Sequence, residues 1–256
     1  MTIMTTNPNF AIEVAHLTVS YNARAALLDV SVNIEADQLV GIIGPNGAGK
    51  STFIKAVLGF VKPDLGTVRI SGSNAQNAKG QVAYVPQRGA VDWDFPITVK
   101  EVALMGRYQQ IPWYSSPQKK DWETASHALE MVRMEDFADR QIGELSGGQQ
   151  QRVFMARALA QGSNILLLDE PFAGVDAATE RAILEVLDRA KKSGKTLVVV
   201  HHDLSTAAEY FDKLLLIKQR LYAYGKPAAV LQEDLLSQVY EGQLRIFKDI
   251  VTKEGA

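Results

Sequence analysis

The order of segments predicts an α/β protein carrying a mostly helical insertion in its middle. Two continuous apolar runs, residues 164–168 and 196–200, read as parallel strands covered on both faces, with a helix over 177–192 between them. A glycine-rich turn joins an apolar strand over 40–43 to a helical pattern over 51–61, a second strand–turn–helix unit. Between these units, from about 90 to 160, Pro96, Pro112 and Pro117 break short segments and several helical patterns follow.

Taken in order, residues 1–10 are polar, uncharged and rich in Thr and Asn, which predicts a disordered tail. Ile12-Glu13-Val14 and Val30-Ser31-Val32-Asn33-Ile34 alternate like half-buried strands. Residues 40–43 form the short buried strand, and 51–61 place Ile54, Val57, Leu58 and Val61 at helical spacing. Residues 67–70 and 81–85 read as two further strands. Residues 226–256, including Val230-Leu231-Gln232 and Gln243-Leu244-Arg245-Ile246-Phe247, read as a short helical tail, with a strand as an alternative for part of it, and suggest no chemistry of their own.

Composition narrows the classes. The chain has 256 residues, 46% of them hydrophobic, enough to bury a sizeable core and too many for wholesale disorder. With 27 Lys and Arg against 29 Asp and Glu it carries no basic footprint, and no nucleic-acid partner is expected. The absence of cysteine excludes disulfides, thiol nucleophiles and cysteine-ligated metal centres. The apolar runs are strand-sized, far short of the ~20 residues of a spanning helix, and the N-terminus lacks the features of a signal peptide. These features predict a soluble intracellular protein.

Gly44-Pro45-Asn46-Gly47-Ala48-Gly49-Lys50-Ser51 fits the pattern G-x-x-x-x-G-K-[ST] between a strand and a helix. Glycines let backbone N–H groups wrap an anion, and the following helix adds its positive end. Lys50 supplies a point charge to the outer phosphates, and Ser51 offers a hydroxyl to Mg²⁺.

A second element answers this loop. Ile165-Leu166-Leu167-Leu168-Asp169-Glu170 is a buried strand ending in two carboxylates at the edge where open parallel sheets bind ligands. Asp169 suits the Mg²⁺ shell, and Glu170, pointing elsewhere by strand alternation, suits the activation of a water that attacks the γ-phosphate. The strand over 196–200 ends in His201-His202-Asp203. Adjacent strand residues face opposite ways, which argues against a shared metal ion and leaves one histidine to reach the phosphates. Gln87, just past the strand over 81–85, offers an amide to Mg²⁺ or to the attacking water.

Leu145-Ser146-Gly147-Gly148-Gln149-Gln150-Gln151-Arg152 discriminates among nucleotide enzymes. Ser146 and Gln149 have capping-box spacing, which predicts a helix running through Ala160 with Ser146 as its cap. Two glycines just inside that cap cost about 1 kcal/mol each relative to alanine. Such a cost is intelligible where bare backbone must approach an anion.

With these motifs in this order, residues 11–225 resemble the ATP-binding cassette family, in particular the nucleotide-binding subunit of a transporter. The fold implied is a P-loop NTPase (RecA-like) core with an N-terminal antiparallel β subdomain and an inserted α-helical subdomain. Its implied boundaries are 11–88 with 161–225 for the core, 89–160 for the helical subdomain and 226–256 for the tail. The resemblance makes residues 44–51 the Walker A motif, with Thr52 beside it, and 165–170 the Walker B motif. It makes Leu145-Ser146-Gly147-Gly148-Gln149 the signature, Gln87 the Q-loop glutamine and Tyr21 the aromatic stacked on adenine. Asp176 becomes the D-loop aspartate, and His202, which precedes Asp203, the switch histidine. The implied activity is ATP hydrolysis with Mg²⁺, with Glu170, His202, Gln87 and Lys50 as catalytic groups. Two copies would sandwich two ATP molecules, each held by one copy's Walker A loop and the other's signature helix.

Because no span is predicted, the resemblance assigns the membrane pathway to separate permease subunits, with this chain peripheral at the cytoplasmic face. The segment Arg88-Gly89-Ala90-Val91-Asp92-Trp93-Asp94-Phe95-Pro96-Ile97-Thr98-Val99, continuing to Met105-Gly106-Arg107, resembles the ATPase subunits of bacterial manganese, zinc and iron importers, manganese foremost. Such importers imply an extracytoplasmic metal-binding protein as an indirect partner. Trp93 and Phe95 either fill the small core of the insertion or line a groove for a helix of the membrane subunit. An importer of another small solute, such as a siderophore or vitamin, and a soluble cassette protein acting outside transport are the competing readings.

Overall fold

The computed structural model describes residues 10–78, 80–87 and 95–240. The elements run β1 (Phe10–Tyr21), β2 (Arg24–Glu35), β3 (Leu39–Ile43), α1 (Lys50–Val57), β4 (Leu65–Ile70), β5 (Ser73–Asn74) and β6 (Val82–Val85). There follow α2 (Val99–Met105), α3 (Lys119–Met131), α4 (Gly147–Ala160), β7 (Ile165–Asp169), α5 (Ala177–Lys192) and β8 (Thr196–Val200). The described chain closes with α6 (Leu204–Tyr210), β9 (Lys213–Lys218), β10 (Arg220–Gly225), α7 (Pro227–Val230) and α8 (Glu233–Tyr240). The described residues fall into two compact units, one joining 10–78 to 198–240, the other made of 80–87 and 95–197.

The first unit holds an antiparallel sheet in the order β2-β1-β4-β5. Its alternating sequence buries one face: Ile12 pairs with Ile34 and Val14 with Val32, and all four side chains are buried. The same unit orders β10-β9-β3-β8, with β3 parallel to β9 and β9 antiparallel to β10. Every residue of β3 is buried, and so are residues 214–217 of β9, as strands covered on both faces require. Glu35 ties the two sheets of this unit together, accepting from Lys213 Nζ at 2.5 Å and from the Tyr224 hydroxyl at 2.7 Å.

Helix α1 stops at Val57, four residues short of the expected 61. Gly59, at φ +72°, turns the chain; its N–H bonds Ala56 O at 3.0 Å and that of Phe60 bonds Lys55 O at 2.9 Å. This paired closure satisfies the last helical carbonyls, so the apolar spacing at Leu58 and Val61 belongs to the turn and the segment leading into β4.

In the second unit β6 runs parallel to β7, and α2, α3 and α4 pack on one another. In this unit β6, β7 and α5 group with the helical segment, and its limits fall at 79/80 and 197/198. The reason lies at the end of α4. Arg157 donates to Tyr84 O at 3.2 Å, Gln161 to Val82 O at 2.9 Å and Ser163 to Gly80 O at 2.7 Å, binding β6 to that helix. Helix α5 starts and stops where the sequence predicts and buries Ile183, Val186, Leu187 and Ala190. The expected disordered tail over residues 1–10 falls, but for Phe10 at the start of β1, outside the described residues, as do 241–256 with the possible strand around 243–247. No helix among the described residues is long and apolar enough to cross a membrane.

Candidate nucleotide site

In the first unit, β3 delivers the chain into the loop at Gly44 and α1 receives it at Lys50. Gly44, Gly47 and Gly49 adopt φ of +152°, +77° and +97°, conformations closed to most side chains. At Gly44 the constraint is also steric, since a Cβ would collide with Ile217 O; at Gly49 one would lie 2.5 Å from Ala26 O. Between them Pro45 O accepts from Ala48 N at 3.1 Å, which closes the turn around Asn46 and Gly47. Ala48 O accepts from Gln219 N at 2.7 Å, so the β9–β10 turn braces the loop from behind.

Lys50 is buried and bends back over the loop, its Nζ donating to Gly44 O at 2.7 Å and Pro45 O at 2.9 Å. Ser51 and Thr52 follow in the first turn of α1, which contains no acidic residue to offset the helix's positive end. A glycine cradle, one ammonium and an uncompensated helix start form a site for a polyanion.

Strand β8 lies beside β3, and the backbone of His201 donates to Ile42 O at 2.9 Å. Both histidines lie past the strand's end, so the loop and not strand alternation separates them. His201 is buried against Tyr210 and Phe211 and lies 2.8 Å from Thr206 Oγ1 through Nε2. Burial and the neighbouring His202 push it down to about 4, against the opposing pull of Asp203, so it is neutral at physiological pH. His202 is exposed, which leaves its ring accessible to a ligand. Tyr21 ends β1 and is 45% exposed, in keeping with a face offered for stacking.

The second unit carries the carboxylates. Strand β7 ends on Asp169, buried to 5% exposure, whose charge adds to burial in pushing Tyr84 up to about 12. Glu170 already lies beyond the strand, at φ +51°. The two carboxylates are therefore set apart by a left-handed turn, and not by the strand alternation expected from the sequence. Gln87 Nε2 donates to Glu170 Oε2 at 2.8 Å, so the glutamine is joined to the candidate base itself.

Ser146 caps α4 as predicted: its Oγ accepts from Gln149 N at 3.4 Å and Gln149 Oε1 accepts from Ser146 N at 2.9 Å. The side chain of Gln149 thus serves the cap, leaving Gly147 and Gly148 as the bare backbone of the helix start. Gly148 has a second reason to be glycine, because a Cβ would collide with Thr179. Asp176 caps α5 and accepts from Ala178 N at 3.0 Å and Thr179 N at 2.8 Å. These bonds, the Thr179 amide first, hold its carboxyl below the usual range. Its side chain is committed to its own helix, a structural task the sequence reading did not assign.

The expected residues thus fall in two sets. Tyr21, residues 44–52 and His202 belong to the first unit; Gln87, Ser146, Gly147, Gly148, Gln149, Asp169, Glu170 and Asp176 belong to the second. Trp93, with residues 88–94, lies outside the described residues, and Phe95 is 58% exposed. Missed by the sequence reading were Gln219 and Thr179, neither of which belongs to a motif. Ser51, Gln87 and Asp169 each offer an oxygen donor, the type that suits Mg²⁺, a hard cation that also takes phosphate oxygens.

Comparison with known proteins agrees with this chemistry. Residues 27–173 match the family model described as ABC transporter. The chain is 50% identical over 246 residues to the manganese transport system ATP-binding protein MntB of Bacillus subtilis, covering 96% of this chain and 98% of that one. It is 50% identical over 235 residues to the zinc transport system ATP-binding protein TroB of Treponema pallidum, covering 92% and 88%. Among solved structures, a dimeric ATP-binding cassette in a post-hydrolysis state with ADP and Pi superposes with a TM-score of 0.74 at 28% identity, covering 84% of this chain and 98% of that one. The chain belongs to the ABC transporter family and is one of its ATP-hydrolysing, nucleotide-binding cassettes.

Proposed function

We propose that this chain energises a membrane importer of divalent metal ions, with manganese as the principal cargo. The observation that supports the cargo is 50% identity with a manganese transport ATP-binding protein across 96% of the chain, joined by further manganese relatives at 41–46%, against a zinc relative at 50%. In this reading two copies close on two ATP molecules. The loop of residues 44–51, with Thr52, binds the phosphates of each ATP, and Tyr21 stacks on its adenine. The start of α4, with Ser146, Gly147, Gly148 and Gln149, meets the terminal phosphate from the partner copy. The capped, glycine-opened helix start of α4, with no acid in its first turn, supports that role. Asp176, at the cap of α5, stiffens the start of that helix.

Ser51, Gln87 and Asp169 hold Mg²⁺, which when bound neutralises phosphate charge. Glu170 accepts the proton of the attacking water, Gln87 orients that carboxylate, Lys50 steadies the outer phosphates and His202 contacts the γ-phosphate. ATP then joins the two copies and hydrolysis releases them, a two-state device biased by one phosphate. The dimer works on permease subunits at the cytoplasmic face of the membrane, supplied by an extracytoplasmic metal-binding protein. Manganese uptake by cells lacking the chain tests the cargo: the wild-type chain restores uptake and Lys50→Ala does not. Normal manganese uptake in the deletion strain, with zinc or another solute lost instead, overturns the assignment.

A further inference from the structure

Strand β6 leads the chain to Gln87, and the end of α4 grips its outer edge. The strand pairs with β7, Val82 opposite Ile165 and Val85 opposite Leu168, and is the last of its sheet among the described residues. Gln81 O accepts from Ile165 N on the β7 side at 3.4 Å. Alternate carbonyls face the other way, where an edge strand lacks a ladder partner and needs donors. Three side chains supply them at every second residue. Ser163 Oγ donates to Gly80 O at 2.7 Å, Gln161 Nε2 to Val82 O at 2.9 Å and Arg157 Nη2 to Tyr84 O at 3.2 Å.

The gripping end is itself held. Arg107 Nη1 donates to Ala160 O at 3.1 Å and Gln110 Nε2 to Gln161 O at 2.8 Å, while a Cβ on Gly106 would collide with Arg157 O. The Arg157 guanidinium lies over the Phe154 ring at 4.5 Å, which leaves its planar fork little freedom. Three residues past Tyr84, Gln87 Nε2 donates to Glu170 Oε2 at 2.8 Å, just beyond the end of β7. The clamp and the carboxylate are thus joined through one short strand.

We propose that Arg157 and Gln161 are positioning residues for ATP hydrolysis: by holding the outward carbonyls of β6 they fix where the strand delivers Gln87, and so the placement of the Gln87–Glu170 pair. The idea rests on the reading that Glu170 takes the proton of the attacking water and Gln87 orients it. The chemical step depends on that placement, whereas ATP affinity depends on the loop of residues 44–51. Loosening the clamp therefore acts on kcat more than on KM.

The test is steady-state ATP hydrolysis by the full chain. Arg157→Met keeps an apolar stem against Phe154 and removes the donors, and Arg157→Lys keeps the charge and one donor. Arg157→Met should lower kcat about five- to twentyfold with KM for ATP held within about twofold, and Arg157→Lys should recover most of the loss. With Gln87→Ala already present, adding Arg157→Met should change kcat by less than about twofold, because both changes act on one pair. A merely structural arginine would lower the Tm and cut kcat by the same factor in both backgrounds, and that result overturns the proposal. Gln161→Leu should show the same pattern at about two- to fivefold, and it carries the test if Arg157→Met does not fold. If Gln87→Ala and Glu170→Gln lower kcat while Arg157→Met and Gln161→Leu match the wild type, the clamp alone fails. If Gln87→Ala or Glu170→Gln hydrolyses ATP at the wild-type rate, the water-activation reading fails and this inference falls with it.

Discussion

Gly148 stands so close to Thr179 that the methyl group of an alanine would occupy the space of the threonine side chain. Thr179 in turn bonds Asp176 through both its amide, at 2.8 Å, and its hydroxyl, at 3.2 Å. The start of α4 and the start of α5 are therefore in direct steric register through one missing Cβ. Gly148→Ala should cost about 1–3 kcal/mol, the usual range for overpacking. Thermal denaturation should show the loss, and adding Thr179→Ser, which removes the methyl group and keeps the hydroxyl, should restore part of it. An unchanged melting temperature in Gly148→Ala would refute the steric account.

Glu170→Gln should keep ATP binding and nearly abolish hydrolysis, because the amide cannot take the proton of the attacking water. Trapped before hydrolysis, the variant should elute as a dimer with ATP and as a monomer without it in size-exclusion chromatography. Undiminished phosphate release would remove Glu170 from the role of base.

The two histidines should separate by assay. His202→Ala should lower ATP turnover by an order of magnitude or more while leaving the melting temperature near that of the wild type, since the ring is exposed. His201→Ala should do the opposite, losing packing against Tyr210 and Phe211. Phosphate-release rates normalised to folded protein, measured beside melting curves, decide between them.

Buried His201 also predicts a pH dependence of stability. Its folded value near 4 lies below the ordinary 6.5, so the unfolded chain binds the extra proton between those values. The stability contributed by neutral His201 is complete above about 6.5 and is lost as pH falls toward 4, by up to about 3 kcal/mol. Melting temperatures measured from pH 7.5 to 4.5 should fall more steeply in the wild type than in His201→Gln. Parallel curves would contradict the assignment.

Agreement between sequence and structure divides along physical lines. Helix α4 with its Ser146 cap, helix α5 and strand β8 occur where the pattern places them, because caps, apolar periodicity and strand runs act within a few residues. The end of α1 departs from the pattern because apolar spacing continues through a glycine that closes the helix. The divergence of Asp169 and Glu170 is expected from the sequence, but its cause, a left-handed residue after the strand, is a backbone choice that composition does not reveal.

By itself the sequence determined the chemistry on offer: a glycine cradle with a lysine, a carboxylate pair ending a buried strand, and a capped helix opened by two glycines. Each is a contiguous motif whose residues cooperate through local backbone geometry. Only the tertiary structure decided what presses on those motifs: Thr179 on Gly148, Gln87 on Glu170 and Gln219 on Ala48. These contacts join segments that lie far apart in the chain, and they form only when buried strands and helices pack so closely that a single Cβ or hydroxyl fixes a neighbouring backbone.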